Sequence, residues 1–183
     1  SLLSDEFLDS VAHSTTPNLQ LGLLRRLLGD QIRTVSRKNL VKGRKFSEML
    51  NDALTRYTNR SLTTAEIIAE LVSLAKEMRA DKERAQQLGL SEAEIALYDA
   101  IIQNDSAILE MGDETLKMIA RELVATIRSS ATLDWTAKES VRARMRSRIK
   151  RLLAKYKYPP DKREQAVQLV IEQAEHLATG EQD

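Results

Sequence analysis

The sequence contains no cysteine, only two histidines and only three prolines, and each shortage excludes a class of structure or site. Without cysteine, the chain can form no disulfide, no thiolate metal site and no cysteine nucleophile. His13 and His176 lie far apart in sequence, so we do not expect a metal site. Six glycines and three prolines are too few for the many tight turns of a strand-rich sandwich. We therefore predict an all-α protein.

The motifs of enzymes are missing as well. None of the glycines belongs to a GxGxxG or GK[ST] pattern, so no phosphate-binding loop is predicted. The carboxylate pairs Glu92 with Glu94 and Asp113 with Glu114 fall at predicted helix starts, where the helix dipole favours negative charge. We therefore predict no catalytic residue, no metal and no cofactor within this chain.

The sequence also lacks any targeting or membrane segment. No apolar run approaches the length of a membrane span, and the first residues, SLLSDEF, lack the basic start and apolar core of a signal peptide. We expect a cytoplasmic protein with no membrane partner. Because the chain begins with Ser1 rather than Met, we also expect it to be a fragment of a longer chain.

What the sequence does contain is helical periodicity, which predicts a bundle of about six or seven amphipathic helices. Capping boxes, in which a Ser or Thr and a Glu satisfy free backbone groups, predict helix starts at 63–66, 91–94 and 136–139. Between Gln103 and Gly112 the pattern weakens, and no helix is predicted there. Polar breaks near 59–62 and 86–90 predict sub-domain boundaries. We expect a helical hairpin over residues 1–60 and a helical bundle over residues 61–183, docked as two halves of one compact fragment.

Positive charge is concentrated in two stretches although the formal net charge is only +1. Residues 138–157 hold nine Lys or Arg and one acid, Glu139, and residues 25–45 hold eight Lys or Arg and one acid, Asp30. The remaining residues are acidic overall. Two basic regions on an acidic body indicate that the protein binds a partner of opposite charge.

The longer basic stretch is predicted to be one helix whose faces differ. At about 100° per residue, an apolar arc that includes Met145, Ile149 and Leu153 must be buried. The basic side chains form two flanks beside this arc, with Arg142 at its border, Arg146, Lys150 and Lys157 on one side, and Arg144, Arg148, Arg151 and Lys155 on the other. Between the flanks, opposite the core, lies a groove of small side chains formed by Ser140, Ala143, Ser147 and Ala154. An acidic helix or a sugar-phosphate chain could approach such a groove closely, and a merely solvated face is the structural alternative.

Two aromatic residues beside this helix complete the candidate site, and each has a structural alternative. Trp135 could stack on a base, or it could pack as a hydrophobic staple at the helix entry. Tyr158 could contact a partner, or it could hold the turn at Pro159 and Pro160. A secondary basic surface is predicted from the N-terminal stretch, formed by Arg33, Arg37, Lys38, Lys42, Arg44 and Lys45.

Several segments resemble a known family from about Leu24 onward. They are NRSLTTAEIIAELVSLAKEM, LGLSEAEIALYDAI and the span from IARELVATIR through DWTAKESVRARMRSRIKRLLAKYKYPPD to AVQLVIEQAE. They resemble the C-terminal helical region of the R subunits of type I restriction enzymes, the motor and nuclease subunits. In that family the resemblance implies a nuclease domain and two RecA-like ATPase domains upstream, so ATP and magnesium are expected only there. No catalytic residue can be carried over to this chain.

The resemblance implies an assembly role for the helical tail, which joins the translocating subunit to a methyltransferase core of modification and specificity subunits. Our leading hypothesis is a non-catalytic docking domain whose basic helix binds an acidic surface of the modification subunit. The alternative is a DNA-binding module whose arginines follow the backbone of duplex DNA during translocation. An independent hydrolase is the least favoured reading, and no small-molecule substrate is expected.

Overall fold

A computed structural model describes residues 4–130, 139–160 and 163–180 of the chain. Within these ranges the protein contains helices and no strands, which confirms the predicted all-α class. The helices are α1 (Asp5–Ala12), α2 (Pro17–Ser36), α3 (Leu40–Thr58), α4 (Thr64–Gln87), α5 (Glu92–Ile101), α6 (Asp105–Met111), α7 (Asp113–Ser130), α8 (Glu139–Lys155) and α9 (Arg163–Gly180). No helix in the described part of the chain is both long and apolar enough to cross a membrane.

Two of the three predicted capping boxes lie at described helix starts, one at α5 and one at α4. At α5 the box is complete, because Ser91 Oγ accepts from the Glu94 N–H at 3.2 Å and Glu94 Oε1 accepts from the Ser91 N–H at 2.8 Å. At α4 only half of it forms, since Thr63 Oγ1 accepts from the Glu66 N–H but donates its own hydroxyl hydrogen to the Glu66 carboxylate. The third predicted box, at 136–139, begins outside the described residues.

Helix α6 lies where periodicity predicts no helix, and with it the described residues form nine helices rather than the predicted six or seven. It is only seven residues long, and its cap is Asn104, whose Oδ1 accepts from the Ser106 N–H at 3.1 Å. Gly112 ends it with a φ of 77°, a left-handed conformation that favours glycine. Only Ala107 and the partly buried Met111 of α6 pack against the core, and two positions are too few to give a periodic signal.

The chain divides into two compact units. The first contains residues 1–36 and 42–89. In it, α4 packs against α1 and α2, and α3 contributes Phe46, Leu50 and Ala53 to the same core. The buried residues of this core are Leu8, Val11, Leu24, Leu28, Ile32, Phe46, Leu50, Ala53, Ile67, Ile68, Leu71, Val72, Leu74, Ala75 and Met78.

The second unit contains residues 37–41 and 90–183. Helix α5 packs against α7 and α9, and α8 packs against the same two helices. Its core includes Leu97, Ile101, Leu116, Ile119, Leu123, Met145, Ile149, Leu153, Tyr158, Val167, Val170 and Ile171. The chain passes between the units on either side of residues 37–41 and between Gly89 and Leu90. The last of these points lies near one of the two predicted breaks, whereas the sequence predicts the main boundary at residue 60. The division into domains stays a prediction.

Polar side chains fasten residues 37–41 inside the second unit. Gln173 is fully buried, accepts from the Leu40 N–H through Oε1 at 2.7 Å and donates through Nε2 to the Lys38 carbonyl at 3.0 Å. Asn39 Nδ2 donates to Asp99 Oδ2 at 2.7 Å. Buried polar groups cost free energy unless they are hydrogen-bonded, and here the amide group of Gln173 is matched to backbone groups of this turn.

Gly29 lies in the middle of α2 and offers a stability test. A Cβ atom placed there would meet no atom within 4 Å. Glycine in a helix interior costs conformational entropy without a compensating contact, so Gly29→Ala is expected to raise the free energy of unfolding by about 0.5–1 kcal/mol. Urea unfolding followed by far-ultraviolet circular dichroism measures the change, and a loss of stability would contradict it.

Candidate interaction surface

Helix α8 carries the main candidate surface, and its buried side fixes the direction of its charges. Met145, Ile149 and Leu153 are buried, while Val141, Leu152 and Tyr156 pack partly buried against the same core, as predicted. These side chains hold α8 against α7 and α9. The opposite side of the helix is therefore turned towards solvent.

The flank of α8 that faces α9 is occupied by contacts within the protein. Three of its basic side chains each meet an acceptor of α9: Arg142 Nε lies 2.7 Å from Glu175 Oε1, Arg146 Nη2 donates to Gln168 Oε1 at 2.8 Å, and Lys150 Nζ lies 2.6 Å from Glu164 Oε1. The hydrogen bond from Lys150 lowers the pKa of Glu164. This flank stabilises the packing of α8 on α9 and presents little free charge.

A small cleft of about 190 Å³ opens along this flank. It is lined by Glu139, Arg142, Ala143, Arg146 and Ile171. The positive charges of Arg142 and Arg146 are balanced by Glu139 and by Glu175, which pairs with Arg142. The cleft therefore has no net positive charge that would favour an anion.

The other flank, which faces α7, is more open. Arg144 and Arg151 are exposed, and among the residues that the structure describes neither meets a carboxylate. Lys155 Nζ lies 3.7 Å from Glu122 Oε2 and 5.3 Å from the centre of the Tyr156 ring. Tyr156 donates its hydroxyl hydrogen to Glu122, which raises the pKa of Tyr156. Arg148 on this flank is exposed as well, and so is Lys157, which follows the end of α8 and is predicted on the opposite flank.

The predicted groove of small side chains is on the surface. Ser140, Ala143, Ser147 and Ala154 are all exposed. We call these four residues together with Arg144 and Arg151 the open face of α8. This face joins small side chains, which permit a close approach, to two guanidinium groups that are available for a partner.

The two aromatic candidates have different outcomes. Tyr158 is fully buried and donates its hydroxyl hydrogen to the Ile101 carbonyl at 2.6 Å. Its side chain belongs to the core and holds the turn that follows α8, so the structure corrects its assignment as a partner contact. Trp135 lies outside the described residues.

The secondary basic surface consists largely of paired charges. Four of its six members contact acids: Arg33 pairs with Asp30, Lys38 Nζ lies 2.6 Å from Glu92 Oε2, Lys42 Nζ lies 2.8 Å from Asp81 Oδ2, and Lys45 Nζ lies 3.3 Å from Glu77 Oε1. Arg37 and Arg44 are exposed. Arg37 and Lys38 belong to the second unit and the other four residues to the first. A binding role for these residues stays a prediction, with less free charge than their number suggested.

The pairing between α3 and α4 follows a pattern that sequence reasoning missed. Glu70, Glu77 and Asp81 are spaced by seven and four residues, which places them on one line along α4. Their partners are Arg56, Lys45 and Lys42 in reverse order along α3. Comparing the charged faces of the two helices, rather than the charge of each stretch, could have shown that these bases are neutralised within the fold.

No group of three or more potential metal ligands comes together within the described ranges. Of the carboxylates predicted at helix starts, Asp113 accepts a hydrogen bond from the Tyr98 hydroxyl and lies 3.2 Å from Lys117 Nζ. The bond from Tyr98 is the main reason why the pKa of Asp113 is lowered. These contacts connect α5 to the first turn of α7.

The sequence matches one protein family and two relatives of known name. Residues 1–180 match the family described as "Type I restriction enzyme HindI endonuclease subunit-like, C-terminal". The chain is 45% identical over 178 residues to the type I restriction enzyme HindI endonuclease subunit of Haemophilus influenzae, covering 97% of this chain and 17% of that protein. It is 36% identical over 158 residues to the putative type I restriction enzyme MjaIXP endonuclease subunit of Methanocaldococcus jannaschii, covering 85% of this chain and 15% of that protein.

No solved structure gives a significant match. The chain spans less than a fifth of the length of the two endonuclease subunits. The family that it matches is described as the C-terminal region of such subunits. The chain belongs to the family of C-terminal regions of HindI-like type I restriction enzyme endonuclease subunits.

Proposed function

We propose that this helical domain docks the endonuclease subunit of a type I restriction enzyme onto its methyltransferase core. The open face of α8 contacts an acidic surface of the modification subunit. ATP, magnesium and the chemistry of cleavage belong to parts of the subunit that precede this domain. The observation that carries the proposal is the exposure of Arg144 and Arg151 without a carboxylate partner among the described residues.

The geometry of the open face suits a protein partner. Arg144 and Arg151 are seven residues apart, which separates them by about 10 Å along the helix axis and leaves them on the same side. Ser147 lies between them in sequence, and its small side chain lets a second helix approach. Guanidinium groups bind carboxylates with two parallel hydrogen bonds, so each arginine can hold one acidic side chain of that helix.

The same geometry supports DNA binding less well. Arg142, Lys150 and Lys155 contact glutamates of the protein, so the number of α8 cations available for phosphates is smaller than the sequence suggests. Affinity for duplex DNA grows with the number of phosphates neutralised. We therefore keep the modification subunit as the partner and use DNA as the competing outcome of the test.

The test is a charge reversal on the open face. Arg144→Glu/Arg151→Glu is expected to weaken binding to the purified methyltransferase core by at least about tenfold, because two attractive contacts become repulsive. Binding is measured by titrating the chain against that core. A matched control, Arg25→Glu/Arg26→Glu, makes the same change of charge on exposed positions of α2 and is expected to bind like the unmodified chain.

Two outcomes would overturn the proposal. Equal weakening by both double variants would mean that only total charge matters. Alternatively, the α8 variant could keep its affinity for the core and lose affinity for a random DNA duplex. If the binding of the unmodified chain to that duplex also falls steeply between two salt concentrations, the arginines contact the DNA backbone instead.

A further inference from the structure

Helix α6 presents two of its large apolar side chains, Ile108 and Leu109, to solvent, the reverse of the usual arrangement. Ile108 is 47% exposed and Leu109 is 87% exposed, whereas the one buried residue of the helix is Ala107. Amphipathic helices normally turn such residues towards the core, because covering apolar surface is the main source of stability. Ile108 and Leu109 therefore contribute little to the fold, which α6 contacts through Ala107 and the partly buried Met111.

The orientation of α6 is fixed by its ends. The side chain of Asn104 is 3% exposed and caps the first turn, and Gly112 provides the left-handed residue that ends the last turn. A helix of seven residues is too short to be stable by itself. Here the caps and the contact of α6 with α7 keep it folded. The two caps and the contact with α7 therefore hold Ile108 and Leu109 on the solvent side of the helix.

Two acidic side chains of α6, Asp105 and Glu110, lie beside the exposed pair in sequence. Asp105 lies three and four residues before Ile108 and Leu109, so it is their neighbour on the helix surface. Within the described part of the chain, neither Asp105 nor Glu110 pairs with a basic residue. The other two acids of residues 105–114 both pair with Lys117, so Asp105 and Glu110 supply the negative charge beside the exposed pair. The surface is therefore apolar at its centre and negative at its edge.

We propose that α6 is a docking site for an amphipathic helix of a partner protein that carries lysines or arginines beside an apolar stripe. The apolar stripe covers Ile108 and Leu109, and the cations meet Asp105 and Glu110. An apolar centre with a charged rim is the usual composition of a protein interface, and the negative rim selects a cationic helix against an anionic one. The site is separate from the open face of α8 and does not depend on the role of that face.

The experiment uses two labelled synthetic peptides of equal length that form amphipathic helices, one built from leucine and lysine and the other from leucine and glutamate. The leucine–lysine peptide is expected to bind the chain, as measured by fluorescence anisotropy, and the leucine–glutamate peptide to bind at least about tenfold more weakly. Ile108→Ser/Leu109→Ser is expected to weaken binding of the leucine–lysine peptide by at least about tenfold. Asp105→Lys/Glu110→Lys is expected to reverse the preference between the two peptides.

The control variant is Leu19→Ser/Leu23→Ser, which removes two exposed leucines from α2 and is expected to leave binding unchanged. Circular dichroism confirms that each variant retains its helices. Equal losses in the α6 and α2 variants, or no loss in either, would overturn the proposal. Sedimentation velocity covers one further outcome: if the unmodified chain self-associates and the α6 variant does not, the occupant is a second copy, and the proposed partner is wrong.

Discussion

Gln173→Leu is expected to lower the free energy of unfolding of the protein by about 2–4 kcal/mol. Leucine fills most of the same volume, but it can neither accept from the Leu40 N–H nor donate to the Lys38 carbonyl. Two backbone groups of the turn then lose their partners, and each buried group left unsatisfied costs about 1–3 kcal/mol. Urea unfolding measures the loss, and hydrogen exchange at the Leu40 amide should show lower protection in the variant.

The matched control is Gln165→Leu, which makes the same change at an exposed position of α9. It is expected to alter stability by less than about 0.5 kcal/mol. If Gln173→Leu were as mild as this control, or if the Leu40 amide kept its protection, the hydrogen bonds of Gln173 would not hold the turn.

Gly43→Ala is expected to lower the free energy of unfolding by about 1–3 kcal/mol, even though alanine is the better helix former. A Cβ atom at position 43 would lie 2.8 Å from Ser36 Cα and 2.3 Å from Ser36 Oγ. Ser36 cannot simply turn away, because its hydroxyl donates to the Ile32 carbonyl at 2.7 Å. The end of α2 and the start of α3 must therefore move apart. The urea concentration at the midpoint of unfolding, followed by circular dichroism, should fall.

Gly29→Ala is the natural comparison, since the same substitution meets no atom there and is expected to have the opposite sign. A second comparison is Gly43→Ala/Ser36→Gly, which removes the Ser36 side chain and should restore part of the loss. The restoration should be incomplete because the Ser36 Cα remains. A Gly43→Ala variant as stable as the unmodified chain would show that the helices separate at no cost.

The sequence predicted the elements whose signals are local and repeated. The burial of Met145, Ile149 and Leu153 follows from a spacing of four residues, and the start of α5 follows from the capping box at Ser91. The small groove of α8 could also be located, because it lies opposite the buried arc. Such features depend on the geometry of one helix and require no knowledge of its neighbours.

Other features depend on which helices become neighbours, and the sequence could not reveal them. Gln173 is a polar residue beside an apolar stripe, and only the docking of residues 37–41 explains its burial. In the sequence, Arg142 and Lys150 of α8 read as free charges, but in the fold they pair with Glu175 and Glu164 of α9. Tyr158 is likewise a core residue, and its hydrogen bond to the Ile101 carbonyl depends on a helix that is distant in sequence.

Membership of residues 37–41 in the second unit has a consequence for dividing the protein into fragments. A piece that starts at Leu90 would lack Asn39 and the backbone groups of Lys38 and Leu40, so Asp99 and Gln173 would be opened to water without their partners. Cutting the polypeptide between Gly89 and Leu90 therefore cannot release the second unit intact. A shortened version that preserves it has to carry residues 37–41 as well, either supplied as a separate peptide or joined on by circular permutation.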